Sequence, residues 1–271
     1  IKMCTIPPPP PPPAMLGINS ASPEVKGEKM LSPLIDASIC IWARDEDAEL
    51  RESCAKYKIC NLEPPYKYKY RHFDSILQVG PTCGLVAMSM LSNGKISAEE
   101  LLNIAKLAGY TSNGEMFSCK NMVELAEKTF SLAEIKNMTC SLQEGGLFST
   151  DTIKRMLNGA VLLVPYDADC NHSPCLRNGH TAHWALVCGV IITEEPDGPY
   201  ENNPDNIYVF CKHGKSKYLA AWKLLELAKS NNNLREFSPK KDTDGLVYIL
   251  PEGGIGGKTG LRDQYLIFEY L

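Results

Sequence analysis

The sequence predicts an α+β fold in which a helical half precedes a run of strands. Between residues 78 and 159 apolar residues recur at spacings of three and four, the period of helices buried on one face. From residue 160 onward they gather into short runs rich in valine, isoleucine, tyrosine and phenylalanine, as buried strands require. Helices grouped ahead of strands is the α+β order, whereas parallel folds alternate the two. No linker of proline, glycine or serine divides residues 70–271, so one domain is expected over residues 36–271, behind a disordered proline-rich arm over residues 1–35.

Taken in order, Pro7 to Pro13 form an unbroken run that can only be polyproline II. Such a run is either a stiff tether or a ligand for an aromatic groove, and without flanking arginine it suits profilin better than an SH3 domain. Residues 39–51 mix apolar positions with Asp45, Glu46, Asp47 and Glu49, which reads as a helix with a solvated acidic face rather than a metal site. Tyr66, Tyr68 and Tyr70 alternate with Lys67, Lys69 and Arg71, a period of two that predicts a short strand. Gly80 and Pro81 form a turn ahead of the apolar run Leu85, Val86, Met88 and Leu91, so a helix is expected to start near Cys83. Ser97 and Glu100 form a capping box for a helix that Gly109 ends. Another helix covers residues 120–130, and Thr150 or Asp151 caps one that Gly159 closes. Strands are expected at residues 160–165, 183–192, 207–212, 245–250 and 265–270, with one amphipathic helix at residues 218–229.

Bulk properties remove several function classes. The 44% hydrophobic and 22% charged content is ordinary for a globular chain of 271 residues. A net charge of −4 argues against nucleic acid or an anionic membrane as partner. The longest apolar run, residues 185–192, is far short of the roughly 20 residues that span a bilayer. No secretory leader pattern opens the chain, and the 11 scattered cysteines form no disulfide framework. A cytoplasmic protein with buried free thiols is expected, in which the sequons at Asn137 and Asn171 are chance matches.

The chemistry centres on Cys83. A thiol at a helix N-terminus meets unpaired N–H groups and a partial positive charge, which favour thiolate. Gln78, five residues earlier, can donate to the oxyanion formed when a thiolate attacks a carbonyl. A base is needed, and His183 stands where a loop enters the most apolar strand; His180 is its rival in the loop itself. The residue that orients the base is open between His213, Asp205 and Asn206, at the two ends of the strand at residues 207–212. A second cluster, Asp167, Asp169, Cys170, His172, Cys175 and His180, reads as a polar loop shaping a cleft, or as zinc held by Cys170, His172, Cys175 and His180. The glycine-rich GGIGGKTG stretch fails as a phosphate loop, because Glu252 stands where the first glycine belongs and no helix follows. No cofactor is expected.

The segments QVGPTCGLVA, GYTSNGEMFS, LVPYDADCNHSPC, GHTAHWALVCGV, HGKSKYLAAW and SPKKDTDGLVYILPEGG resemble, in order, the actin maturation protease family. The resemblance covers roughly residues 70–271 and implies a papain-like cysteine peptidase fold akin to bacteriocin-leader peptidases. It implies a cysteine aminopeptidase that removes an N-acetylated Met or Cys from immature actin. By motif, Cys83 is then the nucleophile, His183 the base and later the acid, and Gln78 the oxyanion donor. The proline-rich arm would bind profilin and so bring actin to the site. An acetylated residue carries no ammonium, so a small apolar pocket without a binding carboxylate is expected. Two alternatives discard this chemistry: a non-catalytic adaptor for actin and profilin, and a zinc-dependent hydrolase built on residues 167–180.

Overall fold

The computed structural model describes residues 38–271. The proline run Pro7 to Pro13, and the arm assigned to residues 1–35, lie outside the described residues. Helices α1 (Ala48–Tyr57), α2 (Cys83–Leu91), α3 (Ala98–Leu107), α4 (Cys119–Leu132), α5 (Thr150–Leu157) and α6 (Leu224–Asn232) surround a sheet. Its strands are β1 (Lys67–Tyr70), β2 (Met138–Glu144), β3 (Val161–Asp167), β4 (Ala182–Ile192), β5 (Ile207–Lys212), β6 (Ala220–Lys223) and β7 (Gln264–Tyr270). Every pairing is antiparallel, in the order β2-β7-β3-β4-β5-β6, with β1 added on β4. The α+β class therefore holds, with a seven-stranded sheet.

β4 organises the sheet. Along one edge its first half pairs with β3 and its second half with β1, while β5 runs along the other. Gly189 makes the β1 pairing possible, since a Cβ there would stand 2.8 Å from the Lys69 carbonyl oxygen. The β4–β5 register shifts between Val187 and Gly189. A bulge of this kind transfers the following residues to the opposite face. Accordingly Trp184, Leu186 and Cys188, and then Ile191, pack on one face with α2, α3 and α4. Ala185 and Val187, and then Val190 and Ile192, pack on the other with α5 and α6. Helices thus cover both faces, not one as a helical first half laid on a sheet would have it.

Several element boundaries depart from the sequence reading. The acidic segment does not make one helix: Ile41–Ala43 is a single tight turn, and α1 is capped by Asp47, whose carboxylate accepts from the Glu49 and Leu50 N–H groups at 2.8 and 3.1 Å. The cap of α5 is Ser149, accepting from Thr152 N–H at 3.2 Å, not Thr150 or Asp151. Residues 218–229 divide into β6 and α6, because alternation at Ala220, Ala221 and Trp222 suits the open edge of β5. Residues 245–250 form no strand; Val247 is 70% exposed and Tyr248 packs on aromatic rings instead of a partner strand. β2 is a strand beyond those expected: Met138, Cys140 and Leu142 alternate with Thr139, Ser141 and Gln143 and pack toward the core, although most of its residues are only half-buried. The capping box at Ser97 and Glu100 is formed in both directions, and Gly109 follows α3 at φ 73°.

Among the described residues no helix is long and apolar enough to cross a membrane. Every cysteine among them is a free thiol.

Candidate active site

The start of α2 is set by the chain before it. Gln78 N–H donates to the Gly214 carbonyl at 2.8 Å, tying this segment to the turn after β5. Contact is close enough that a Cβ on Gly214 would meet the Gln78 side chain at 2.9 Å, so only glycine fits there. Gly80, at φ 66°, then turns the chain into Pro81 and Thr82. Thr82 is the N-cap residue of α2 but makes no capping bond, because its hydroxyl donates to the Val79 carbonyl at 2.9 Å. The first turn of α2 therefore keeps amides available for other acceptors.

Cys83 is the first residue of that turn, and the nearby backbone N–H groups of Gly84 and Trp184 favour its thiolate. Burial is the larger effect and pushes its thiol up, while these amides and the Lys241 ammonium oppose it and the Glu115 carboxylate adds to it. Trp184 follows His183 on β4, so the strand that offers an amide to the sulfur also carries the imidazole. His183 is 7% exposed, and burial, then His213, His172 and Lys215, hold its pKa down to about 3. Burial thus disfavours both the thiolate and the imidazolium. His183 is wedged among rings: Tyr166 at 5.8 Å edge-on, with His172 and His213 each at 6.1 Å. His213 in turn stacks on Trp222 at 5.9 Å, and burial lowers its pKa to about 4. His183 Nε2 and His213 Nδ1 are both buried without a hydrogen-bond partner.

Gln78, Cys83 and His183 line one cavity of about 120 Å³ together with Pro81, Glu115, Met116, Phe117, Trp184, Lys241 and Leu261. The Gln78 amide nitrogen donates to the Gly80 carbonyl at 2.6 Å, and its oxygen is buried without a partner. The cavity is small and largely apolar, but Glu115 lines it, so the expectation of a pocket free of carboxylate is corrected. Glu115, Lys241 and the Trp184 amide were missed in the sequence because they join the site from distant segments, with no spacing to Cys83 that marks them.

The other sequence candidates lie elsewhere. His180 pairs with Glu236 at 3.3 Å. Asp205 is bound to Lys223 and Asn206 donates to Glu194 at 3.0 Å, so neither faces His183. Ligand atoms that converge as a metal site occur among the described residues at Asp47, Glu49 and His72, not in the loop after β3. Cys170, His172, Cys175 and His180 do not gather. Asp167 instead holds that loop: its carboxylate, fully buried, accepts from the backbone N–H groups of Arg177, Gly179 and Thr181 and from the Thr181 hydroxyl. The loop that delivers His183 is therefore folded on one anion. The glycine-rich stretch runs beside the cavity, which Leu261 lines, and its Gly260 carbonyl accepts from Cys119 N–H at 3.0 Å.

Comparison with known proteins places this arrangement. The family profile described as actin maturation protease-like, C-terminal domain, matches residues 73–191. The actin maturation protease of Drosophila melanogaster is 40% identical over 94% of this chain and 90% of its own length. The chain belongs to the actin maturation protease family. The Homo sapiens relative is 35% identical over 71% of this chain and 63% of its own length, and that of Danio rerio 34% identical over 73% of each. The profile match, residues 73–191, takes in both Cys83 and His183. Family membership therefore rests on the region that carries Cys83 and His183.

Proposed function

We propose that this chain is a hydrolase, a cysteine-type aminopeptidase with a papain-like core, that removes an N-acetylated Met or Cys from the N-terminus of immature actin. The observation that carries the reading is the cavity that Cys83, His183 and Gln78 share, in a chain of this family. Relatives carry the name of a protease that matures actin, which supports actin as substrate.

The steps follow from the residues. His183 takes the Cys83 proton as the thiolate attacks the carbonyl of the acetylated first residue. The Gln78 amide holds the resulting oxyanion, in the field of the uncapped α2 turn. His183 returns the proton to the departing amine, the new N-terminus of actin, and a thioester remains. Water then attacks, giving its proton to His183; the thioester breaks, the N-acetyl amino acid leaves, and His183 returns the proton to the Cys83 sulfur. His213 is the positioning residue that geometry favours over Asp205 and Asn206, because its buried ring neighbours that of His183 and both have an unsatisfied nitrogen. The Pro7 to Pro13 run serves as the profilin ligand, and the enzyme works in the cytoplasm.

The test is turnover of an acetylated actin N-terminal peptide, with products weighed by mass spectrometry. Cys83→Ala should remove activity, and retained turnover would sink the reading. His183→Ala should lower kcat/KM by about 10²-fold or more.

A further inference from the structure

Glu115 is the acidic member of the cavity lining, and its side chain is only 9% exposed. Burying a carboxylate away from water is unfavourable unless a cation or donors compensate. Its compensation is Lys241, whose ammonium stands 3.9 Å away and also lines the cavity. That ammonium is itself held. It lies 5.0 Å from the Phe117 ring centre, 5.1 Å from Tyr248 and 5.8 Å from Phe237. The three rings pack edge-on against one another at 5.2 to 6.3 Å. A lysine above aromatic faces is bound by their negative surfaces, so this one is not a free surface chain.

A peptidase that grips a free N-terminus does so with a carboxylate that binds the α-ammonium. The cavity holds such a carboxylate, and an internal ammonium already occupies it. A neutral acetamide makes different demands, one acceptor for its N–H and one donor for its carbonyl. Glu115 and Lys241 provide one of each. We propose that Glu115 and Lys241 form the selectivity element of the cavity: Lys241 holds the carboxylate against a free ammonium and repels that charge, so blocked, uncharged N-terminal residues are the substrates. This rests on the peptidase reading above.

The experiment uses the full chain and two peptides of one sequence, one acetylated and one with a free amine. Wild type should cleave the acetylated peptide preferentially. Lys241→Met keeps an unbranched chain against the three rings but removes the charge. It should lower the ratio of the two kcat/KM values by about tenfold or more, through gain on the free-amine peptide. Lys241→Arg should keep the ratio near that of wild type. Adding Glu115→Gln to Lys241→Met should abolish the gain. Glu115→Gln alone reads the pair from its other side and should lower turnover of the acetylated peptide more than that of the free amine. If Lys241→Met and Glu115→Gln slow both peptides equally, with the ratio unchanged, the pair is structural and the proposal is overturned while the peptidase reading stands. If wild type cleaves neither peptide, the peptidase reading falls and takes this proposal with it.

Discussion

Cys83 and Cys119 hold the same position in their helices, the first residue of α2 and of α4, and both are buried. Around Cys119 the helix start is closed. Ser118 accepts from Asn121 N–H at 3.3 Å, and Cys119 N–H is spent on the Gly260 carbonyl at 3.0 Å. Only burial acts on its thiol, pushing it far up. Around Cys83 the start is open: the Thr82 hydroxyl donates to Val79, the Gly84 and Trp184 amides favour the thiolate, and the residue lines a cavity. On the proposed reading, a helix N-terminus alone does not distinguish the nucleophile from Cys119. It takes unspent amides, an approach and an imidazole on a neighbouring strand.

The largest expected effect breaks that symmetry directly. Cys83→Ser should lower kcat/KM on the order of 10⁴-fold or more, since the hydroxyl is a poor nucleophile in a site built for a thiol. Cys119→Ala should leave kcat/KM close to wild type and cost about 1 kcal/mol of stability. Equal losses of activity in the two variants, measured on one acetylated peptide, would contradict the contrast.

A second test concerns acid. The Cys83 end carries two buried imidazoles, with pKa values of about 3 for His183 and about 4 for His213. Unfolded, each titrates near ~6.5. The unfolded chain thus binds protons that the folded one refuses, and stability, full above about pH 6.5, falls as pH drops toward the folded values. Each contributes a slope of about 1.4 kcal/mol per pH unit near pH 5. His213→Gln should make the fall of denaturant-unfolding free energy between pH 6 and 5 shallower by roughly that amount. An unchanged slope would mean that His213 is protonated in the fold.

The smallest effect is at the Cys119 end. Ser118→Ala should cost about 1 kcal/mol in a denaturant melt, the usual worth of a cap, with peptide turnover kept. No loss of stability would show that α4 starts as openly as α2.

These contrasts also mark what could be read from the residues. Gly80 and Pro81 before an apolar run locate the α2 start, and His183 at the mouth of a β-rich stretch is visible for the same local reason. The capping box of α3 is legible because its two partners are three residues apart. Asp167 read only as part of a polar loop beside cysteines and histidines, since nothing local shows that a carboxylate will be consumed by backbone amides. Residues 218–229 fit both periods, and only the free edge of β5 decides for β6. Glu115 and Lys241 lie 126 positions apart in sequence and meet where three aromatic rings hold the ammonium, a contact that local periodicity does not encode.

The place of β7 has a consequence for timing. Residues 264–270 form neither sheet edge but fill the gap between β2 and β3. On the ribosome, Cys83 and His183 emerge long before that gap can close. Until it does, β2 has no partner and β3 lacks one neighbour, so the loop and strand that carry His183 rest on an unfinished support. The sheet that underlies Cys83 and His183 is therefore complete only after residues 264–270 have joined it.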